Sequence, residues 1–158
     1  VIYSKTSEYA IRALTYFASH PEKARVTVTE VSRSLRLPEA YVGKVFRCLA
    51  RSRILRSWKG PHGGFSLLVP VRELSLVRVV SAVDEPKSSP FSNCVMGLDR
   101  CDDRNPCPLH PVWSEAKSDL LAALTRSTVA DIADLTGFGR GRRRWSALSK
   151  RMKRLFKA

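Results

Sequence analysis

Three of the chain's four cysteines and one of its three histidines fall in a single stretch, Cys94-Val-Met-Gly-Leu-Asp-Arg-Cys101-Asp-Asp-Arg-Asn-Pro-Cys107-Pro-Leu-His110. Thiolates with an imidazole companion are the donor set of a soft metal ion or an iron-sulfur cluster. The spacing is too wide for a CxxC zinc knuckle or a thioredoxin-type redox pair, and it suits something bulkier than one ion. A zinc staple, or three ordinary reduced thiols, is the plainer alternative. No signal peptide is expected from the amphipathic pattern that Val1-Ile-Tyr-Ser-Lys5 leads into, and apolar runs such as Leu74 to Val83 are broken by Arg78 and Ser81 far short of a membrane span. A soluble, cytoplasmic protein with no membrane partner is expected, and in that compartment clustered cysteines are ligands more readily than disulfides.

The formal net charge of +14 predicts an anionic partner, most simply nucleic acid. Residues 137–158 alone carry Arg140, Arg142, Arg143, Arg144, Lys150, Arg151, Lys153, Arg154 and Lys157 with no acid. Such a tail is a non-specific arm or a disordered end, so nucleic-acid binding by the body needs its own argument.

The elements that must position these residues are mostly helical. Ser4 to Ser19 sets Tyr9, Ile11, Ala13, Leu14, Phe17 and Ala18 at helical spacing, and His20-Pro21 ends that helix, with His20 capping it. Thr27-Val-Thr-Glu30 is a capping box that opens a short helix through Leu35. Pro38, expected at the first helical position, starts a third helix to about Ser52. Two helices joined this tightly read as a helix-turn-helix. In the third, Tyr41, Val42, Val45, Phe46 and Leu49 can line the packed side, while Lys44, Arg47 and Arg51 share a basic face. Cys48 between them reads as a small semi-buried core residue.

Two strand-like runs, Ile54 to Trp58 and Phe65 to Val69, flank Lys59-Gly-Pro-His-Gly-Gly64, a glycine-rich hairpin tip able to approach a phosphate backbone closely. This is the expected wing of a winged helix, with Lys59 and His62 at its tip. Ser75 can cap a helix over Leu76 to Val83, stopped by Asp84-Glu85-Pro86. The aperiodic cysteine loop follows, then a long helix from Pro111 to about Arg126 with Trp113, Ala116, Leu120, Leu121 and Leu124 on one side. Thr128-Val-Ala-Asp131 resembles a second capping box for a last short helix. The long helix has little left to pack against, which predicts a symmetric homodimer, and two recognition helices reading two half-sites fit a twofold axis. Neither ferredoxin-type spacing nor a substrate-pocket motif is present, so no enzymatic activity and no small-molecule substrate are expected.

The order of parts resembles the Rrf-two family of bacterial winged-helix iron-sulfur transcription regulators, which includes the IscR, NsrR and RirA types. It rests on Ser4-Lys-Thr-Ser-Glu-Tyr-Ala-Ile-Arg-Ala-Leu14, the helix-turn-helix, Gly60-Pro-His-Gly-Gly-Phe65, Val79-Val-Ser-Ala-Val-Asp-Glu85, the three-cysteine loop and Leu109-His110-Pro-Val-Trp113, over about residues 3–135. It implies a winged helix-turn-helix domain at 1–85, a cluster-binding loop at 86–110, a dimerisation helix and short helix at 111–136, and a basic tail at 137–158. Cys94, Cys101 and Cys107 match the cluster thiolates and His110 the histidine ligand of the IscR branch. A 2Fe-2S cluster is thereby favoured; a 4Fe-4S cluster, with Glu8 of the partner subunit as a fourth donor, is the NsrR-type alternative. Six residues separate Cys94 from Cys101, where IscR and NsrR types have five and RirA types seven, which leaves the branch open. Tyr41 matches a DNA-contacting position, and Lys5, Thr6, Tyr41, Lys44, Arg47, Arg51, Lys59, His62 and Gly63 form the expected double-stranded DNA interface. Gly43-Lys44 stands where IscR relatives have Glu-Gln, so sequence preference does not carry over. The implied function is transcriptional regulation set by a cluster that senses iron, redox or nitric oxide status, with a zinc-stabilised or metal-free thiol-redox regulator as the alternative.

Overall fold

Helix α1 runs over Lys5–Ser19, α2 over Val28–Leu35 and α3 over Glu39–Arg51, followed by strands β1 Leu55–Trp58 and β2 Gly64–Leu67 and by helices α4 Leu76–Val83, α5 His110–Arg126 and α6 Val129–Thr136. The computed structural model describes residues 3–84, 94–98 and 101–136; the basic tail at 137–158 and part of the expected cysteine loop lie outside these.

Local chemistry accounts for most boundaries. Ser4 caps α1 by accepting from the Ser7 amide at 3.1 Å, and the imidazole Nδ1 of His20 lies 2.9 Å from the Tyr16 carbonyl at the other end. The Thr27–Glu30 capping box forms in both directions, and Thr128 with Asp131 repeats it at α6. Arg36 closes α2 in the left-handed region at φ 53°, and the Leu37 amide then donates to the Ser32 carbonyl at 3.0 Å. This tight turn sets α3 across α2.

Three expectations of detail are corrected. Pro38 is the N-cap of α3, not its first helical residue: its ψ of 128° is extended, while its carbonyl already accepts from the Tyr41 and Val42 amides. Ser75 holds the N-cap position of α4, but its hydroxyl makes no capping bond. The backbone on either side is tied instead to the α5–α6 turn, with Leu76 N–H donating to Ser127 and Val129 N–H to Leu74, both at 2.9 Å. Helix α5 begins at His110 rather than Pro111, because the His110 amide closes a turn onto the Cys107 carbonyl at 2.9 Å.

The core lies among α1, α2, α3, α4 and the base of the wing, around Leu14, Val31, Val45, Phe46, Leu49 and Val79. Phe46 is its centre: fully buried, 4.8 Å from the ring of Phe65 in the wing and 5.9 Å from that of Phe17 in α1. Tyr41, expected on this packed side, is 53% exposed and meets only the edge of Tyr9 at 5.9 Å. Cys48 is buried, as expected of a small core residue. The wing is an antiparallel pair in register Leu55↔Leu67 to Trp58↔Gly64, joined to the body by reciprocal Val26–Phe65 hydrogen bonds of 2.8 Å. Among the described residues no helix is long and apolar enough to cross a membrane.

The capping box carries a pH signature. Hydrogen bonds from Lys23 and from the Thr27 amide hold the Glu30 carboxyl down to about 2. A carboxyl depressed on folding stabilises the native state above its unfolded value, and that contribution is lost as pH falls from the ordinary carboxylate range toward 2. Because Glu30 is well solvated, the effect is modest. Glu30→Gln is expected to lower stability at neutral pH and to flatten its fall over this window, read by urea unfolding at several pH values; a variant with unchanged pH dependence contradicts this assignment.

Candidate nucleic-acid interface and metal centre

Helix α3 presents Lys44, Arg47 and Arg51 to solvent, as its periodicity predicts. With Ala50 of the same helix and Ser57 and Phe65 of the wing, these side chains line an open cleft of about 330 Å³. Three cations beside a helix and a hairpin make a surface for a polyanion: guanidinium and ammonium groups neutralise phosphates, and arginine can also fork onto a guanine edge. Tyr41 stands exposed near the N-terminal end of the same helix, braced by Tyr9 of α1. Lys5 lies one turn before Tyr9, exposed and paired with Glu8 at 2.7 Å, which raises its pKa through that hydrogen bond. Thr6 beside it is half-buried.

The wing tip is built on glycines for steric reasons. A Cβ on Gly63 would sit 2.4 Å from the Trp58 carbonyl oxygen and 2.8 Å from that of Gly60, while Gly60 itself adopts φ 98°. The turn thus leaves Lys59 and His62 exposed at its tip. Sequence reasoning missed three residues here. The guanidinium of Arg25 lies 4.2 Å from the Trp58 ring and donates to the His62 carbonyl at 2.9 Å, and Arg56 lies 5.4 Å from the same ring. Strand alternation placed Arg56 beside Trp58; only the folded path of the α1–α2 connection brings in Arg25.

The four expected metal donors come together in twos. Cys94 and Cys107 Sγ lie 3.6 Å apart, and Cys101 Sγ lies 3.4 Å from His110 Nδ1. Among the described residues no group of three or more Cys, His, Asp or Glu side chains converges on one point. A hydrogen bond from the Met96 amide holds the Cys94 thiol below its ordinary pKa against the opposing effect of burial, with the Cys107 side chain, the Leu98 amide and the Lys117 charge acting in the same direction. The other nitrogen of His110, Nε2, lies 2.8 Å from the Asp103 carboxylate, and Asp102 shapes the intervening turn by accepting from the Arg104 and Asn105 amides. Nothing in the sequence singled out Asp103. Glu8, the alternative fourth donor in the partner, is engaged on its own helix by Lys5 and, at 3.7 Å, by Arg12.

By residue type the donor set fits an iron-sulfur or metal group. With bonds of about 2.3 Å to sulfur and 2.0–2.1 Å to nitrogen, two donors on one tetrahedral centre stand about 3.5–3.8 Å apart. Both observed pairs approach that spacing.

The comparisons agree with this architecture. Residues 3–135 match the Rrf2 (Rrf-two) family model, described as an iron-dependent transcriptional regulator. A protein of Aquifex aeolicus named as an HTH-type transcriptional regulator is 27% identical over 137 residues, covering 85% of this chain and 93% of that protein. IscR of T. potens superposes with a TM-score of 0.66 at 17% identity, over 85% of this chain and 87% of its own. CymR of B. subtilis, a global cysteine regulator, superposes at 0.69 with 14% identity, over 85% and 97%. With a family match across most of its length and a winged-helix fold shared with these regulators, the chain belongs to the Rrf2 family: it is a DNA-binding transcriptional regulator and not an enzyme.

Proposed function

We propose that this regulator's DNA affinity is set by an iron-sulfur cluster held by Cys94, Cys101, Cys107 and His110, of the 2Fe-2S type. The observation that carries the reading is the two-and-two pairing of the donors at 3.6 and 3.4 Å. When bound, such a cluster supplies a redox-active, oxidant-sensitive cross-link between the loop and the start of α5. The protein's own groups do the rest. Asp103 fixes the His110 ring with Nδ1 toward Cys101, as carboxylates orient metal-binding imidazoles elsewhere. Helix α5 packs within the chain mainly on α4 and leaves Val112 72% and Leu121 40% exposed, an apolar surface that a second copy would cover in a homodimer. The loop that receives the signal runs directly into this helix, so ordering or releasing it shifts the spacing of two recognition helices and with it the DNA-competent population. Lys44, Arg47 and Arg51 then engage the major groove, with Tyr41, Lys5 and Thr6 at its edge and Lys59, His62 and Gly63 at the flank.

A second reading has one specific support: Cys94 and Cys107 are close enough to close a disulfide with little movement, as a metal-free thiol sensor would. Absorption spectra with iron and sulfide quantitation on protein purified without oxygen separate the two. Visible bands with stoichiometric iron and sulfide, lost in Cys101→Ala and altered in His110→Ala, are expected. A colourless protein holding zinc or no metal would sink the cluster reading and leave the thiol sensor or a structural site.

A further inference from the structure

The wing has two cationic faces, and only one of them belongs to the recognition helix. Successive residues of β1 point to opposite sides of the hairpin. Ser57 turns toward α3 and lines the cleft with Lys44, Arg47 and Arg51. Arg56 and Trp58 turn the other way, where the Trp58 indole donates to Ser66 Oγ at 3.0 Å and is thereby held flat against the outer face. Arg25 reaches this face from the α1–α2 connection, its guanidinium 4.2 Å from the ring centre, with one Nη1 hydrogen bond to the His62 carbonyl. Arg56 lies 5.4 Å from the same ring. No carboxylate is paired with either arginine among the described ion pairs, and Arg25, Arg56 and Trp58 are all exposed.

A guanidinium positioned against an aromatic ring and tied to a carbonyl has already lost much of its rotamer freedom, yet N–H groups along its edge stay available as donors. That is a pre-ordered phosphate clamp, because the entropy of fixing the side chain is spent in folding instead of on binding. Geometry supplies the partner. The minor groove of duplex DNA is about 6 Å wide and walled by two phosphate strands, so a hairpin tip that enters it meets one strand on each side. The α3 side of the wing faces the strand shared with the major groove; the outer face meets the other.

We propose that Arg25 and Arg56, organised by Trp58, form a second phosphate-binding face for duplex DNA on the outer side of the wing, independent of the recognition helix. The inference rests on the wing lying against DNA as proposed above. It extends the footprint by two phosphates that none of the sequence-predicted contact residues covers.

The test uses the full chain and a mixed-sequence duplex of about two helical turns, titrated by fluorescence anisotropy between about 50 and 200 mM salt. Each phosphate contact contributes close to one unit to the slope of log affinity against log salt. The Arg25→Ala/Arg56→Ala double variant is expected to flatten the parent slope by about two units. Arg72→Ala, which removes one exposed charge from the Pro70–Glu73 turn, tied at the Val71 carbonyl to Ala130 of α6, is expected to leave it unchanged. Arg25→Lys keeps the charge but loses the fork, so its affinity should fall severalfold while its slope stays near the parent's. A double variant whose slope matches that of Arg72→Ala overturns the proposal. So does an Arg25→Lys slope flatter than the parent's by about one unit, since Arg25 would then only brace the wing tip. Failure of the parent chain to bind the duplex at all would remove the underlying reading as well.

Discussion

Replacing Lys44, Arg47 and Arg51 together by alanine is expected to weaken duplex-DNA binding by about a hundred- to a thousandfold near physiological salt, taking roughly 1 to 1.4 kcal/mol for each charge-assisted contact once it is discounted for solvent. All three side chains are exposed on one face of α3 and share the cleft against the wing, so none contributes to the core and the fold should survive. Three lost phosphate contacts would also flatten the salt dependence by about three units. Anisotropy titrations at several salt concentrations, with circular dichroism to confirm folding, read both quantities. A folded triple variant that retains the parent slope would show that α3 is not the DNA-reading element. A variant that loses discrimination among sequences but little slope would assign these residues to base edges in place of phosphates.

The second large effect is on stability. Phe46→Ala is expected to cost about 3–5 kcal/mol, as truncation of a fully buried aromatic does. Against a total of about 5–15 kcal/mol for a domain, that is enough to unfold a large fraction of the chain at growth temperature. Phe46 meets the rings of both Phe17 of α1 and Phe65 of the wing, so its loss should loosen the wing in particular. Urea unfolding gives the free energy and hydrogen exchange gives the location. A loss below about 1 kcal/mol would mean that the surrounding core collapses into the space and that the wing is held mainly by the Val26–Phe65 backbone pairing.

Helix boundaries were legible because they are written in short-range chemistry. The Thr27–Glu30 box, the Thr128–Asp131 box and the spacing of Val42, Val45, Phe46 and Leu49 each need only a few neighbouring residues to act. Pro38 and His110 were displaced by the backbone of their own turns, Ser75 by a distant segment. The hydroxyl of Ser75 makes no capping bond where the neighbouring backbone exchanges hydrogen bonds with residues 127–129, and Tyr41 lies three residues before Lys44 on the exposed side of α3, against the edge of Tyr9. The wing strands, expected over Ile54 to Trp58 and Phe65 to Val69, run over Leu55–Trp58 and Gly64–Leu67, because the pairing of Trp58 with Gly64 and of Leu55 with Leu67 sets their ends.

The same division runs through the sites. Residue types and spacing identified Cys94, Cys101, Cys107 and His110 as a donor set and Lys44, Arg47 and Arg51 as a basic face, because ligand chemistry and helical period are properties of the local chain. Which thiol stands next to which donor is a matter of long-range folding: the chain must turn at Cys94–Gly97 and again at Asp102–Asn105 before Cys94 meets Cys107 and Cys101 meets His110. Asp103 and Arg25 acquire their roles in the same way, each by crossing to a partner that no periodicity links to it. Composition and pattern therefore settle which residue types this protein brings to each segment, while their pairings, and the Arg25–Trp58–Arg56 arrangement on the wing, exist only once the backbone has closed on itself.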